Sequence, residues 1–135
     1  EKLSVRETEA LVKRMLEPPK TAKKSKFSSA EDAIYESLEE KMKNADVVVT
    51  GEGRLDAQTV MGKAPVGVAA LAKKYNAKVI AFAGSVAPEA SVCNQAGIDA
   101  FFPIVRGACT LEEAMQREKA MENLTDSVEQ VFRLL

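Results

Sequence analysis

The chain of 135 residues has the size of one domain, and its 46% apolar and 29% charged residues are typical of a globular protein. Nineteen Lys and Arg against twenty Asp and Glu give a net charge of −1, which argues against nucleic acid or an anionic membrane as the main partner. The sequence contains no histidine, which excludes His-based triads and His-ligated metal sites within it, and no apolar run approaches the roughly 18–20 residues of a membrane span.

The first 44 residues are predicted to form a helical N-terminal segment with a basic linker. Ser4 and Glu7 have the spacing of a capping box, which indicates a helix that ends before Pro18. The Lys-rich stretch 20–26 follows, and we interpret it as a solvated linker, with phosphate or nucleic-acid contact as the alternative. A second helix is expected to begin at Ser29 and to end near residue 44.

From residue 45 onward the pattern alternates between short apolar strands and helices. Strands are predicted at 46–50, 78–83 and 98–104, and helices at 65–75, 88–96 and from 110 to the end, with an interruption near 117. Strands separated by helices return in parallel, so residues 45–135 are expected to form a three-layer α/β/α domain with a Rossmann-like sheet. Three strands make a thin sheet, which we expect a missing N-terminal half or a homo-oligomer partner to complete.

Polar and glycine residues follow all three predicted strands, at 50–56, 83–86 and 103–107. Ligands of open parallel sheets bind beyond the carboxyl ends of the strands. This edge of the sheet is therefore the predicted functional edge, and its richest segment is the one that runs from Thr50 to Thr59, with Lys63 beyond it.

Charged residues are concentrated in this segment. Arg54 offers a planar fork for a carboxylate or phosphate, and Lys63 offers a point charge. Glu52 and Asp56 are hard oxygen donors that suit Mg²⁺, and either could orient a hydroxyl group.

Two glycines in the same segment have a different expected role. Gly51 and Gly53 can adopt left-handed backbone angles, and their amides could then form a nest that holds an anion.

A structural interpretation of the same residues stays open at this point. The segment could be a turn whose charges face water, with Asp56 as a helix N-cap and Gln58 and Thr59 as the residues that start the helix. The spacing matches neither a dinucleotide fingerprint, which needs a third glycine, nor a phosphate-binding P-loop, which needs glycine where Ala57 stands. The pattern alone predicts an anion-binding loop of unspecified purpose.

Four stretches resemble the C-terminal part of the glycerate kinase type-1 family, in order and with family-like separations. They are 48–59 (VVTGEGRLDAQT), 62–69 (GKAPVGVA), 83–85 (AGS) and 97–104 (GIDAFFPI). The resemblance covers about residues 45–135. It implies a cytoplasmic two-domain α/β enzyme that uses ATP and Mg²⁺ to phosphorylate a hydroxyl of D-glycerate, with this chain as part of it. Two isolated cysteines, Cys93 and Cys109, are consistent with a cytoplasmic location.

On this basis we expect catalytic roles for Asp56, Arg54 and Lys63, and Mg²⁺ ligation by Glu52 and Asp56. The residues expected to contact substrate or nucleotide are Gly51, Glu52, Gly53, Gln58, Thr59, Gly84 and Ser85. Cys93 is predicted to be a core residue, and a ligand role for Cys109 is the less favoured interpretation. The alternative function is a nucleotide- or anion-binding module without catalysis.

Overall fold

The computed structural model describes residues 30–135. The helix predicted after Ser4 and the linker 20–26 lie outside the described residues. The helix predicted from Ser29 is confirmed over Ala30–Met42. Its residues Leu38 and Met42 pack against the same hydrophobic core as the sheet. The domain boundary at residue 45 stays a prediction.

The described residues form a three-stranded sheet with helices on both faces. The elements in chain order are α1 (Ala30–Met42), β1 (Val47–Leu55), a 3₁₀ helix (Ala57–Val60), α2 (Ala64–Lys73), β2 (Lys78–Val86), a second 3₁₀ helix (Pro88–Ser91), α3 (Val92–Gln95), β3 (Ala100–Pro103), α4 (Leu111–Met115) and α5 (Arg117–Phe132). Both strand pairs are parallel and the sheet order is β1-β2-β3. The predicted α/β class with a parallel sheet is confirmed.

The central strand β2 is buried on both faces, which explains why its sequence shows no polar alternation. One face contributes Val79, Ala81 and Ala83 to a core that includes Ala69 and Ala72 of α2. The other face contributes Ile80 and Phe82 to a second core, with Leu124 and Val128 of α5. Two helical layers therefore enclose the sheet, as the three-layer prediction requires.

Strand β1 is longer than the sequence pattern predicts. It continues through the segment expected to be a loop and pairs Gly51 with Phe82, Arg54 with Ser85 and Leu55 with Val86. A side chain at position 51 would place its Cβ 2.5 Å from the carbonyl oxygen of Phe82, so glycine permits the close pairing. Neither Gly51 nor Gly53 has a positive φ, so the left-handed backbone angles that these glycines allow are not used here.

Helix ends follow the sequence signals closely. Thr110 caps α4 in a capping box with Glu113, and extended backbone at Gln116 separates α4 from α5, where the interruption was predicted. The predicted helix 88–96 is a 3₁₀ turn followed by α3, and Gly97 beyond it has φ of +99°. None of the helices in residues 30–135 has the length and hydropathy to cross a membrane. The cytoplasmic location stays a prediction.

Candidate active site

The three strands end at one edge of the sheet because they run parallel in register. Glu52 lies opposite Ala83 on β2, and Ala83 lies opposite Pro103 on β3. The polar segments that follow the strands in sequence are therefore brought to the same edge, as predicted from the topology. The charged side chains at this edge come mainly from the end of β1 and the turn after it.

Asp56 is the N-cap of the first 3₁₀ helix. Its Oδ1 accepts hydrogen bonds from the backbone amides of Gln58 at 2.9 Å and Thr59 at 3.2 Å. The hydroxyl oxygen of Thr59 accepts a bond from the backbone amide of Asp56 at 3.2 Å, which completes a capping box. The N-cap position considered for Asp56 is therefore confirmed, and it fixes the carboxylate in one orientation.

Thr59 is fully buried and joins the two carboxylates of the segment. Its hydroxyl donates a hydrogen bond of 2.7 Å to Oε1 of Glu52 while it accepts the bond from the Asp56 amide. Its donor position and one of its two acceptor positions are thus filled within the segment. In the structure Thr59 connects the strand to the turn, and the ligand contact predicted for it stays a prediction.

Lys63, at the N-terminus of α2, faces both carboxylates. Its Nζ lies 3.8 Å from Oε1 of Glu52 and 3.5 Å from Oδ1 of Asp56. Arg54 approaches the other oxygen of Asp56, with 4.0 Å between Nε and Oδ2, and 65% of its side chain is exposed. We call Glu52, Arg54, Asp56 and Lys63 the charged cluster. It has two positive and two negative side chains, and the guanidinium is its most accessible group.

The environment of Asp56 lowers the pKa of its carboxyl group. Partial burial acts in the opposite direction and raises the pKa, but the attraction of Lys63 and the bonds from the amides of Gln58 and Thr59 outweigh it. Asp56 is therefore a carboxylate at neutral pH.

The structure places the predicted Mg²⁺ ligands, Glu52 and Asp56, next to the same lysine, Lys63. Within residues 30–135, no group of three or more Cys, Asp or Glu side chains is arranged to hold a metal ion. Lys63 already places a positive charge next to both carboxylates, and a divalent cation would compete with it. In this structure the carboxylates hold the lysine, and their ligation of Mg²⁺ stays a prediction.

Other predicted contact residues lie at the same edge with fewer interactions. Gln58 and Ser85 are exposed, and Ser85 lies opposite Arg54 in the register. A Cβ at Gly84 would lie 2.7 Å from the carbonyl oxygen of Gly53, so Gly84 is required for packing between the strands. Binding by the backbone of these residues stays a prediction.

Cys93 lies beneath the charged cluster, a position the sequence did not reveal. It is fully buried, as predicted for a core residue, and its thiol is 3.8 Å from the carbonyl oxygen of Asp56. Burial raises the pKa of this thiol, and the nearby carboxylates of Glu52 and Asp56 add to the effect. Cys109 is exposed, and its ligand role is untested.

A cavity of about 260 Å³ lies at the same edge, on the face covered by α5. Its lining residues are Gly51, Glu52, Phe82, Ala83, Gly84, Ile104 and Leu124. We call it the sheet-edge cavity. Sequence reasoning missed Phe82, Ile104 and Leu124 because they come from three separate segments that only the fold brings together.

Comparison with known proteins finds similarity to one family. The model of the Glycerate kinase family matches residues 21–135, which extends the resemblance toward the N-terminus. A Bacillus subtilis (strain 168) glycerate kinase is 48% identical over 87 residues, and a Bacillus cereus one is 43% identical over 101 residues. These matches cover 63% and 74% of this chain.

A solved structure agrees with the sequence matches. A Salmonella typhimurium LT2 protein described as a candidate glycerate kinase 2 superposes with a TM-score of 0.53 and 39% identity over 78% of this chain. The chain spans about a quarter of these relatives, namely 23% and 26% of the two Bacillus proteins and 24% of the Salmonella protein. The family model matches most of the chain, and the relatives share its fold and a large part of its sequence. The chain therefore belongs to the glycerate kinase family.

Proposed function

We propose that this chain forms part of the active site of a glycerate kinase, which transfers the γ-phosphoryl group of ATP to a hydroxyl of D-glycerate. The observation that supports this most is the charged cluster at the carboxyl edge of a parallel sheet, in a chain of this family. Phosphoryl transfer requires mainly positioning and neutralisation of charge, which lysine and arginine can supply without histidine.

The two cations have different proposed partners. Lys63 is held by two carboxylates and is only 40% exposed, so its ammonium group is a fixed charge suited to the transferring phosphoryl group. Arg54 is more exposed and only loosely paired, so its planar fork is free to bind the carboxylate of glycerate.

Asp56 is the proposed partner of the reacting hydroxyl. Its Oδ1 is engaged by backbone amides, and its Oδ2 is available to accept a hydrogen bond from the substrate hydroxyl. As the hydroxyl oxygen bonds to the γ-phosphorus, the bond to the β-phosphate oxygen breaks and ADP leaves with that electron pair. The hydroxyl proton passes to Asp56, whose lowered pKa keeps it ionised beforehand.

The family resemblance implies that the enzyme uses Mg²⁺ together with ATP. We propose no magnesium ligand among the described residues, because Lys63 lies beside both carboxylates that could serve. The remaining part of the enzyme, or a partner copy, is proposed to supply the other half of the site, since the chain spans about a quarter of its relatives.

The test is glycerate-dependent release of ADP, measured on the 135-residue chain and on the intact open reading frame that encodes it. We expect turnover in the intact protein and a loss of about 10²–10³ in turnover for Asp56→Ala. Asp46→Asn is the matched control, because Asp46 precedes the opposite end of β1 and should leave turnover unchanged. An Asp56→Ala enzyme within threefold of wild type would remove Asp56 from the chemistry.

The alternative function, a nucleotide- or anion-binding module without catalysis, predicts a different outcome of the same assay. The intact protein would then bind ATP or glycerate and release no ADP when both are present.

A further inference from the structure

The two outer strands of the sheet differ in how well they suit an outermost position. β3 has four residues and ends in Pro103, features that natural proteins use to limit pairing with further strands. β1 has nine residues, begins with three consecutive valines and contains neither lysine nor proline. Such a continuous apolar run is typical of strands inside a parallel sheet. β1 therefore has the sequence of an inner strand, although residues 30–135 place only β2 beside it.

The side of β1 that faces away from β2, which we call the open side of β1, carries backbone groups without a strand partner among residues 30–135. The carbonyl of Asp46 accepts a hydrogen bond of 2.9 Å from the amide of Lys78 at the start of β2. Because bonds to one neighbouring strand recur at every second residue, Val48 also bonds toward β2. The amides and carbonyls of Val47 and Val49 point to the open side of β1, where they form a template for another strand.

The handedness of the crossovers indicates that a further strand lies on this side. α2 leads from β1 to β2, and α1 packs on the same face of the sheet, with Leu38 and Met42 against the core that α2 covers. Glu39 of α1 also accepts a hydrogen bond of 2.9 Å from the hydroxyl of Tyr75, just beyond α2. Parallel crossovers are right-handed, so helices on one face carry the chain across the sheet in one direction. Because α2 leads away from β1 toward β2, α1 leads into β1 from its open side.

The part of the enzyme that this chain does not contain is the best source of the strand. The chain spans 23% and 26% of two Bacillus glycerate kinases. The sequence of residues 1–29 has no two adjacent β-branched residues and predicts a helix and a Lys-rich linker. A second copy of the chain that paired edge to edge about a twofold axis would add an antiparallel strand. The crossover through α1 requires a parallel one.

We propose that the open side of β1 binds a parallel strand from the remaining polypeptide of the enzyme, and that the loop after this strand completes the active site. The inference rests on the proposed kinase function and adds where the remaining part attaches. Parallel neighbours end at the same edge of a sheet, so the loop after the added strand lies beside the end of β1. Arg54, the most accessible group of the charged cluster, is at that end.

Hydrogen exchange, measured by NMR, reports on the two sets of β1 amides separately. We expect the amides of Val47 and Val49 to exchange roughly a hundredfold more slowly in the protein from the intact open reading frame than in the 135-residue chain. Val48 is the internal control, because its bond to β2 should protect it in both proteins. Rapid exchange at Val47 and Val49 in the intact protein would overturn the proposal.

Other occupants of the open side of β1 give different results in the same experiment. Protection of Val47 and Val49 in a monomeric 135-residue chain would assign this side to residues 1–29. Protection that appears only as the 135-residue chain dimerises, followed by sedimentation velocity, would assign it to a second copy. Either result overturns the proposal. Protection confined to an intact protein that releases no ADP would support the strand and contradict the kinase function, so the two failures are distinguishable.

Proline variants test the same bonds through stability. Val49→Pro removes an amide on the open side of β1, and Val49→Ala is the control for the lost side chain. We expect the urea midpoint of Val49→Pro to fall further below that of Val49→Ala in the intact protein than in the 135-residue chain. Ala100→Pro is the second control, because the Asp99 amide bonds to β2 and that of Ala100 therefore points away from it. An equal gap between the Val49 variants in both proteins would contradict strand pairing.

Discussion

The buried hydroxyl of Thr59 donates a hydrogen bond of 2.7 Å to Oε1 of Glu52, across seven positions of the chain. This bond ties the turn after β1 back onto the strand. Because the same hydroxyl accepts a bond from the Asp56 amide, one side chain sets the relative positions of both carboxylates. Lys63 then takes its place between them.

Removal of this hydroxyl should loosen the charged cluster. Thr59→Val keeps the shape of the side chain but leaves Glu52 and the Asp56 amide without their partner. We expect the free energy of unfolding to fall by about 1–3 kcal/mol, the typical cost of an unsatisfied buried polar group. Thr59→Ser retains the hydroxyl and is the control. Urea denaturation of the three proteins measures the effect, and equal stability of the Val and Ser variants would contradict the connecting role.

Replacement of Lys63 by Met should raise the pKa of Asp56 toward its ordinary value. Partial burial already raises that pKa, and the ammonium group is the largest of the opposing influences that lower it. The pKa is read from the side-chain carboxyl carbon in an NMR titration. Lys74→Met is the control, because Lys74 pairs with Glu39 at 3.7 Å, away from the cluster. An Asp56 pKa that does not move in Lys63→Met would contradict the ion pair.

The lowered pKa of Asp56 predicts that the free energy of unfolding depends on pH. A pKa that is lower in the folded than in the unfolded state stabilises the fold above the unfolded value, near 4, and this contribution disappears as pH falls through the folded value. The wild-type protein should therefore lose more stability than Lys63→Met between neutral pH and pH 3. Denaturation midpoints across this range provide the comparison.

The two neighbouring glycines of the strand pair should respond differently to alanine. Gly84→Ala places Cβ 2.7 Å from the carbonyl oxygen of Gly53, and backbone cannot move aside cheaply, so we expect a loss of about 1–3 kcal/mol. Gly53→Ala meets no atom within 4 Å and should be neutral or stabilising by up to about 1 kcal/mol. Equal effects in urea denaturation would show that the close approach of the strands is not what requires Gly84.

The two cysteines should differ strongly in reactivity. Cys109 is exposed, whereas Cys93 is fully buried with a raised thiol pKa, so it has little thiolate at neutral pH. A thiol reagent should label one site rapidly in the folded protein and the second only after unfolding. Mass spectrometry identifies the site, and Cys109→Ser should abolish the rapid phase. Rapid labelling at Cys93 would show that the turn above it opens readily.

Much of the fold follows from local sequence patterns. The capping box at Thr110, the break at Gln116 and the glycine at 97 are short-range signals, and the structure confirms all three. The length of β1 could not be predicted in the same way. Its extension depends on a close approach between Gly51 and the Phe82 backbone, a contact between distant parts of the chain.

The charged cluster could be predicted in composition but not in arrangement. Sequence reasoning selected Arg54 and Lys63 because their types suit anionic ligands, and Glu52 and Asp56 because carboxylates suit Mg²⁺ or a hydroxyl group. It left Thr59 between helix initiation and ligand contact, because burial of one hydroxyl beneath a polar turn has no local signature. The sheet-edge cavity escaped prediction for the same reason, since its walls meet only in the folded chain.

The charged cluster is encoded by twelve consecutive positions, 52–63, and is closed by bonds that span three and seven residues. Contacts between residues that are close in sequence cost little conformational entropy and form rapidly. Once β1 has docked on β2, this turn can therefore organise itself before α5 covers the far face. A variant in which α5 does not fold would then lose the apolar wall of the sheet-edge cavity and keep the arrangement of Lys63 with the two carboxylates. The cavity and the charged cluster would therefore be lost independently of each other.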